Sequence, residues 1–282
     1  MHPTTSRTLA ATGSTLLLLA FSLLAAYPFV WMFFGTFKSN PEIIRVAPLL
    51  PDHFTLTYYR ELLGGVRTPF LRQYLNSLLI ASAQTMIAVA VSVMAGFVLG
   101  TYRFRGARML LLLLVAIVAV SAPVLVLPLF SWFNRLHLID TPAAAILPGA
   151  VSGIALLFFA QAFRAIPREL VDIARTEGAS EYRIFLTLLP LVRNAIVTYA
   201  MIHFVLAWQD HLIPLVMLSS RDRLTVPIAL SSLYGSARVP FALLMVGGLA
   251  TVLPPALFYV LVRRHFTSAL SRLMGSVGRI GA

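Results

Sequence analysis

The sequence contains no cysteine, which removes disulfide frameworks and thiolate metal sites from consideration. Charge is the second scarcity: 11% of the 282 residues are charged, against about 25% in an ordinary soluble domain. Acidic residues are the scarcest, ten against 22 Lys and Arg, while 59% of the chain is hydrophobic. Water cannot be the main solvent of such a chain. The net charge of +12 does not point to nucleic acid, because the arginines stand between long apolar runs instead of forming a basic stripe.

Catalytic patterns are missing as well. No G-x-x-x-x-G-K-[ST] loop is present to cradle phosphates, so the chain is not expected to hydrolyse ATP by itself. The six His residues show no H-E-x-x-H spacing, and no Ser lies in a G-x-S-x-G elbow. No catalytic residue, metal ligand or resident cofactor is therefore assigned.

What the sequence does have is a series of apolar stretches. A helix needs about 20 apolar residues to cross the hydrocarbon core. Six stretches qualify: 9–37, 74–102, 109–134, 141–163, 184–209 and 239–262. The first exceeds a signal-peptide core and has no small-x-small site after it, so it is expected to remain as a membrane helix. The fifth carries Arg193 near its start and spans only if that side chain snorkels to the interface. The expected fold class is an all-α membrane protein, a single polytopic domain over residues 1–282 in contact with membrane lipid.

None of these spans has Asp, Glu or Lys in its interior. An ion-coupled carrier normally places such a group at membrane depth. His203 is the titratable residue that does lie there, and a lone His is read first as a hydrogen-bonded packing residue. Energy for active transport must then come from another polypeptide. Gly96, Gly100, Gly247 and Gly248 permit close helix approach, and Pro123, Pro128, Pro254 and Pro255 can bend spans.

Orientation follows from the basic residues, which are retained in the cytoplasm. With both termini inside, 13 of the 22 Lys and Arg and four of the ten acids lie inside, giving +9 against +3 outside. The loop 102–108 carries three Arg and no acid, whereas 135–140 balances one of each. The outer segment 38–72 holds Pro41, Pro48, Pro51 and Pro69, which suits a water-exposed connection with a short surface helix near Thr57–Leu63.

The inner loop 164–183 is the longest and most polar. Pro167 suits the first turn of a helix. Leu170, Ile173 and Ala174 then share one face, while Glu169, Asp172, Arg175 and Thr176 face away. Gly178 stands where a left-handed residue closes the helix, and a second run, 179–189, leads past Pro190 into the next span. A compact helix held between spans 4 and 5 is a mechanical handle; the bland reading is a helix lying on headgroups.

The string from Ile166 to Ser180, with Ile184-Phe185 and Leu189-Pro190-Leu191 after it, resembles the Glu-Ala-Ala…Gly loop of ATP-binding-cassette (ABC) importer permeases. The resemblance is to the carbohydrate branch that includes the smaller maltose-type permease. Phe54–Arg60, Asn76-Ser77-Leu78, Phe104-Arg105-Gly106, Pro128-Leu129-Phe130, Leu138–Thr141, Leu224–Pro227 and Gly275–Gly278 are similar to that branch in the same order. Asp172 and Ile173 depart from the usual Glu and Ala, Glu177 from the usual Asp, and Gln209 from the usual Asn; between Phe185 and Pro190 the chain is one residue short.

The resemblance implies a bacterial-type plasma (inner) membrane complex. In it the chain pairs with a second homologous permease, and two copies of an ABC ATPase carry ATP and Mg. An extracytoplasmic solute-binding protein delivers a sugar. Glu169, Leu170, Asp172, Ile173, Ala174, Thr176, Glu177, Gly178 and Ala179 would form the ATPase-coupling helix and turn. Candidates for the solute pathway are Asn76, Ser77, Gln84, Ser121, Gln161 and Gln209. The alternatives are an ABC permease for peptides or amino acids, a channel, and a membrane assembly protein without transport.

Overall fold

The structure is a computed structural model that describes residues 3–45, 49–235 and 239–277. Pro48, Gly278 and both chain ends, on which parts of the preceding reading fall, lie outside the described residues. The elements in order are α1 (Pro3–Gly35), α2 (Asn40–Ile44), α3 (Thr57–Leu63), α4 (Phe70–Thr101), α5 (Ala107–Ala119), α6 (Ala122–Arg135) and α7 (Pro142–Ile146). They continue with α8 (Gly153–Arg164), α9 (Arg168–Thr176), α10 (Glu181–Leu188), α11 (Arg193–Gln209), α12 (Leu212–Met217), α13 (Val226–Tyr234) and α14 (Phe241–Val277). Short 3-10 turns follow α7 at Leu147–Gly149 and α10 at Leu189–Val192. Among the described residues there is no strand.

Four helical stretches are long and apolar enough to cross a membrane: Gly13–Gly35, Phe70–Thr101, Glu181–Gln209 and Phe241–Arg263. A fifth is a bent pair, Pro142–Gly149 with Gly153–Arg164, at 46°. The bend falls where Pro148 and Gly149 interrupt regular hydrogen bonding, and Ser152 restarts the helix by accepting from the Ala155 amide at 3.3 Å. The expected span 109–134 is not one helix. It breaks at Ser121, whose ψ of 134° is extended. Pro123 lacks an N–H and its ring would clash with the carbonyl four residues back, so α5 stops and α6 begins. In α14, by contrast, the helix runs through Pro254 and Pro255.

The chain forms two compact units. The first comprises residues 1–68 and 230–252. In it the Tyr59 hydroxyl donates to Thr36 Oγ1 at 2.8 Å, and the Asn40 side chain accepts from the Phe241 amide at 2.7 Å. The surface helix expected near Thr57–Leu63 is α3. Lys38 corrects the reading of this segment as wholly water-exposed: it is buried, beside a fully buried Thr36.

The second unit comprises residues 69–229 and 253–282. Its axis is α4, which packs along α8 and α11. Gly96 and Gly100 make the first contact possible. A Cβ on Gly96 would lie 2.4 Å from Phe159 Cβ, and one on Gly100 2.6 Å from the Ala160 carbonyl oxygen. Small residues at this spacing let two helices approach backbone to backbone. Phe97 then serves as a hub, with ring centroids 5.5 Å from Phe163, 5.2 Å from Phe185 and 5.4 Å from Tyr102.

Candidate functional site

The loop expected to carry a short helix closed by a glycine carries one, and each boundary has a local cause. Pro167 stands as the N-cap, with φ −56° and ψ 134°, one position before the first turn where it was expected. The helix α9 follows and ends at Thr176, with Glu177 as its C-cap. Gly178 has φ +77°, in the left-handed region. Its amide donates to the Arg175 carbonyl at 2.9 Å and the Ala179 amide to the Ala174 carbonyl at 2.9 Å. This pair of bonds is the Schellman closure, which satisfies carbonyls that the helix end leaves free. Ser180 then caps α10 by accepting from the Arg183 amide at 3.3 Å.

One face of α9 is rooted in the second unit. Val171 is 7% exposed and joins the cluster of Phe97, Phe163, Ile184 and Leu188, with Ala174 and Ala179 packed against it. Leu170 and Ile173, expected to share one face with Ala174, are 46% and 54% exposed, while Ala174 is half-buried. The reason is geometric. Residues 170, 171, 173 and 174 span an apolar arc wider than one neighbour can cover, and the chain takes the Val171–Ala174 edge. The outward side of α9 therefore combines Leu170 and Ile173 with Glu169, Asp172 and Thr176.

A polar tie holds the helix from its other end. Arg175 donates to Glu181 Oε1 at 3.2 Å, and the Tyr102 hydroxyl donates to Glu181 Oε2. The Arg175 guanidinium also lies 5.0 Å over the Tyr102 ring. Burial, and then the neighbouring Glu181 carboxylate, push the Tyr102 phenol above its ordinary range. Tyr102 and Glu181 escaped the sequence reading because they are 79 positions apart, and Arg175 and Glu181 sit on different helices.

The solute-pathway candidates are dispersed. The Asn76 amide donates to the Asp222 and Leu224 carbonyls at 2.8 and 3.2 Å, and the Ser77 hydroxyl accepts from the Val226 amide at 2.8 Å. Both therefore anchor the segment before α13. Ser121, Gln161 and Gln209 are exposed. Gln84 lines a cavity of about 630 Å³ with Ser152, Tyr199, His203 and Asp210. Tyr199 donates to Ser152 Oγ at 3.1 Å and lies 3.4 Å from His203 Nδ1, so His203 belongs to a hydrogen-bonded group, as expected. Burial pushes the Asp210 carboxyl up, against the hydrogen bonds it accepts from the Ile213 and Leu212 amides. Among the described residues no group of His, Asp or Glu could hold a metal ion.

At the far end of α4, Asp140 fastens a loop. Its backbone is left-handed, φ +61°. The carboxylate accepts from the Ser219 and Ser220 amides at 3.0 and 2.9 Å and from the Ser220 hydroxyl, and Arg223 lies 3.4 Å away. Burial raises its pKa, but the Ser220 and Ser219 hydrogen bonds and the Arg223 charge outweigh it and hold the group at about 2.

Comparison with known proteins gives a consistent result. Residues 92–272 match the family described as "Binding-protein-dependent transport system inner membrane component". The arabinooligosaccharides transport system permease protein AraQ of Bacillus subtilis is 31% identical over 261 residues, covering 91% of this chain and 92% of that one. The lactose transport system permease protein LacG of Rhizobium radiobacter is 29% identical over 270 residues, 94% of each chain. The fold is also that of a chain in a crystal structure of a bacterial ABC transporter involved in the import of the acidic polysaccharide alginate. That match has a TM-score of 0.79 at 19% identity and covers 94% of this chain and 99% of that one.

Proposed function

The chain belongs to the family of binding-protein-dependent transport system inner membrane components, and on that premise we propose that it is the permease subunit of an ABC importer for a sugar or sugar derivative. The observation that carries this reading is α9. It is a short helix with a rooted edge and an outward face of two apolar and three polar side chains, ended by a left-handed Gly178. A helix that merely lay on lipid would turn its apolar arc to the membrane; this one puts part of that arc into its own core and leaves Leu170 and Ile173 for a partner.

In this reading the outward face sits in a cleft of one of two ATPase subunits, which hold the ATP and Mg. A second homologous permease pairs with the chain, and an external binding protein delivers the solute. ATP-driven closure pulls on α9, and Val171 and the Glu181 tie pass the displacement to Phe97, Phe163 and Leu188. The spans then rock as rigid bodies between two packings, which is a two-state switch and not local chemistry. No residue of this chain is catalytic.

Six crossings follow if α5 with α6, and α7 with α8, each count as one bent span beside the four long ones. Both termini are then cytoplasmic, in accord with the charge split. For the solute, Gln84 holds the strongest position of the six candidates, since its cavity also offers hydroxyl, imidazole and carboxyl groups.

The test is uptake in vesicles containing the whole complex. Uptake should require ATP and the ATPase subunit, and should persist when ionophores collapse ion gradients. Because the chain has no Cys, single Cys variants report cleanly. Ser39→Cys should react with an impermeant reagent from outside. Thr176→Cys should react only after permeabilisation and should cross-link to the ATPase subunit. Gradient-driven uptake by this chain alone would overturn the importer reading. A complex that imports only peptides or amino acids would overturn the sugar assignment.

A further inference from the structure

Beside α9 lies a cluster of arginines to which the proposed coupling path gives no part. The ends of α4, α5, α8 and α9 converge there, and each brings an arginine. Arg103 follows α4, Arg108 lies in the first turn of α5, Arg164 is the last residue of α8 and Arg168 the first of α9. They line two adjoining hollows of about 470 and 380 Å³, whose shared walls include Gly100, Tyr102, Arg103, Arg164 and Arg168. Asp172 is the one acid on these walls. Among the described residues, Arg103, Arg108 and Arg168 have no ion-pair partner, and Arg164 donates to the Leu99 carbonyl at 3.4 Å.

Retaining positive loops on one side of the membrane needs arginines in the sequence; it does not need them gathered around one hollow. Gathered without counter-ions they repel one another, and an anion relieves that repulsion. The guanidinium fork matches phosphate oxygens in particular. The setting decides which phosphate. The hollow opens where the apolar helix α4 ends and α5 begins, and α5 turns Met109 and Leu112 outward at 66% and 62% exposure beside an exposed Phe104. Acyl chains would lie along that stripe while the headgroup entered the hollow.

We propose that Arg103, Arg108, Arg164 and Arg168 bind the headgroup phosphate of an anionic phospholipid, with its acyl chains along the exposed face of α5. Basic pockets between helices at the cytoplasmic boundary are suited to such headgroups. Only the choice of the inner leaflet depends on the proposed topology; the binding itself does not depend on the transport reading.

The experiment is native mass spectrometry of the detergent-purified complex, without ATP or solute. The complex is titrated separately with phosphatidylglycerol, phosphatidylcholine and inorganic phosphate. Phosphatidylglycerol should bind the wild type well above phosphatidylcholine. Arg103→Gln with Arg108→Gln should weaken it about 30-fold, the effect expected of two basic residues near a membrane surface. Arg103→Lys with Arg108→Lys keeps the charge and should retain most of the binding, which separates loss of the site from loss of the fold. Equal binding of the two lipids, or an unchanged Gln variant, would refute the proposal. Displacement of the lipid by equimolar inorganic phosphate would reassign the hollow to a free anion. A cross-link from Arg103→Cys to the ATPase subunit, with no lipid preference, would give it to a protein carboxylate instead.

Discussion

Arg175 reaches across the turn made by Gly178 and meets Glu181 at 3.2 Å, while the Tyr102 hydroxyl holds the other oxygen of the same carboxylate. One carboxylate thus joins α9, α10 and the end of α4. Both partners of the ion pair are solvent-exposed, 42% and 61%, so its work is positional and not a large share of global stability. Glu181→Ala should leave the thermal midpoint of the complex nearly unchanged. It should speed hydrogen exchange of the α9 amides several-fold while those of α4 stay protected, because local opening is set by local ties. Unaltered exchange in α9 would show that Val171 alone holds the helix.

Gly178 separates backbone strain from crowding. Nothing lies within 4 Å of a Cβ placed there, yet φ is +77°. A side chain costs on the order of 1–2 kcal/mol through backbone conformation alone, and a β-branched one more. Gly178→Val should insert and express but lose solute uptake and binding-protein-stimulated ATP hydrolysis. Gly178→Asn, which tolerates the left-handed region, should restore most of both. Equal activity of the two variants would remove the turn from the coupling path.

Gly100 is the opposite case, where space and not φ is limiting. A Cβ there would lie 2.6 Å from the Ala160 carbonyl oxygen and 2.7 Å from Phe163 Cβ. Gly100→Leu should force α4 and α8 apart at a cost of about 1–3 kcal/mol, read as a lower thermal midpoint in detergent. Gly13→Leu is the control, because nothing lies within 4 Å of that position. Equal midpoints for the two variants would contradict the close approach.

The Asp140 latch predicts a pH window. Its folded pKa is depressed to about 2, against an ordinary carboxylate near 4. The stabilisation is therefore complete above about pH 4 and is lost as pH falls toward 2. Between pH 5 and 8 the latch should add no pH dependence. Asp140→Asn keeps the left-handed backbone comfortable and removes the charge, so it should flatten the acid limb of the stability profile at a cost of about 1 kcal/mol near neutrality. An acid limb that persists in Asp140→Asn would assign it to another group.

What could be read in advance depended on range. The Gly178 closure was legible because proline, glycine and capping rules act over a few residues. The inward face of α9 was not legible. Periodicity marked Leu170, Ile173 and Ala174 as one apolar face, but the chain buries Val171 and leaves Leu170 and Ile173 out, a choice made by Phe97 and Phe163 far away in sequence. Pro123 marked a possible bend in its span, but the full break at Ser121 was not legible, because neither hydropathy nor a proline by itself distinguishes a bent helix from one that stops, as the helix through Pro254 and Pro255 shows. Asn76 and Ser77 were read as solute candidates because only the folded chain brings the backbone of residues 222–226 to them.

The closure of α9 by Gly178 and Ala179, its root at Val171 and its tie through Arg175 and Glu181 all leave Leu170 and Ile173 unused. The frame and the outward side chains are thus separable. If α9 meets an ATPase subunit as proposed, substitutions at Leu170 and Ile173 would alter what the helix fits without unmaking it, so that a pair of positions would keep two such systems in one cell from exchanging subunits.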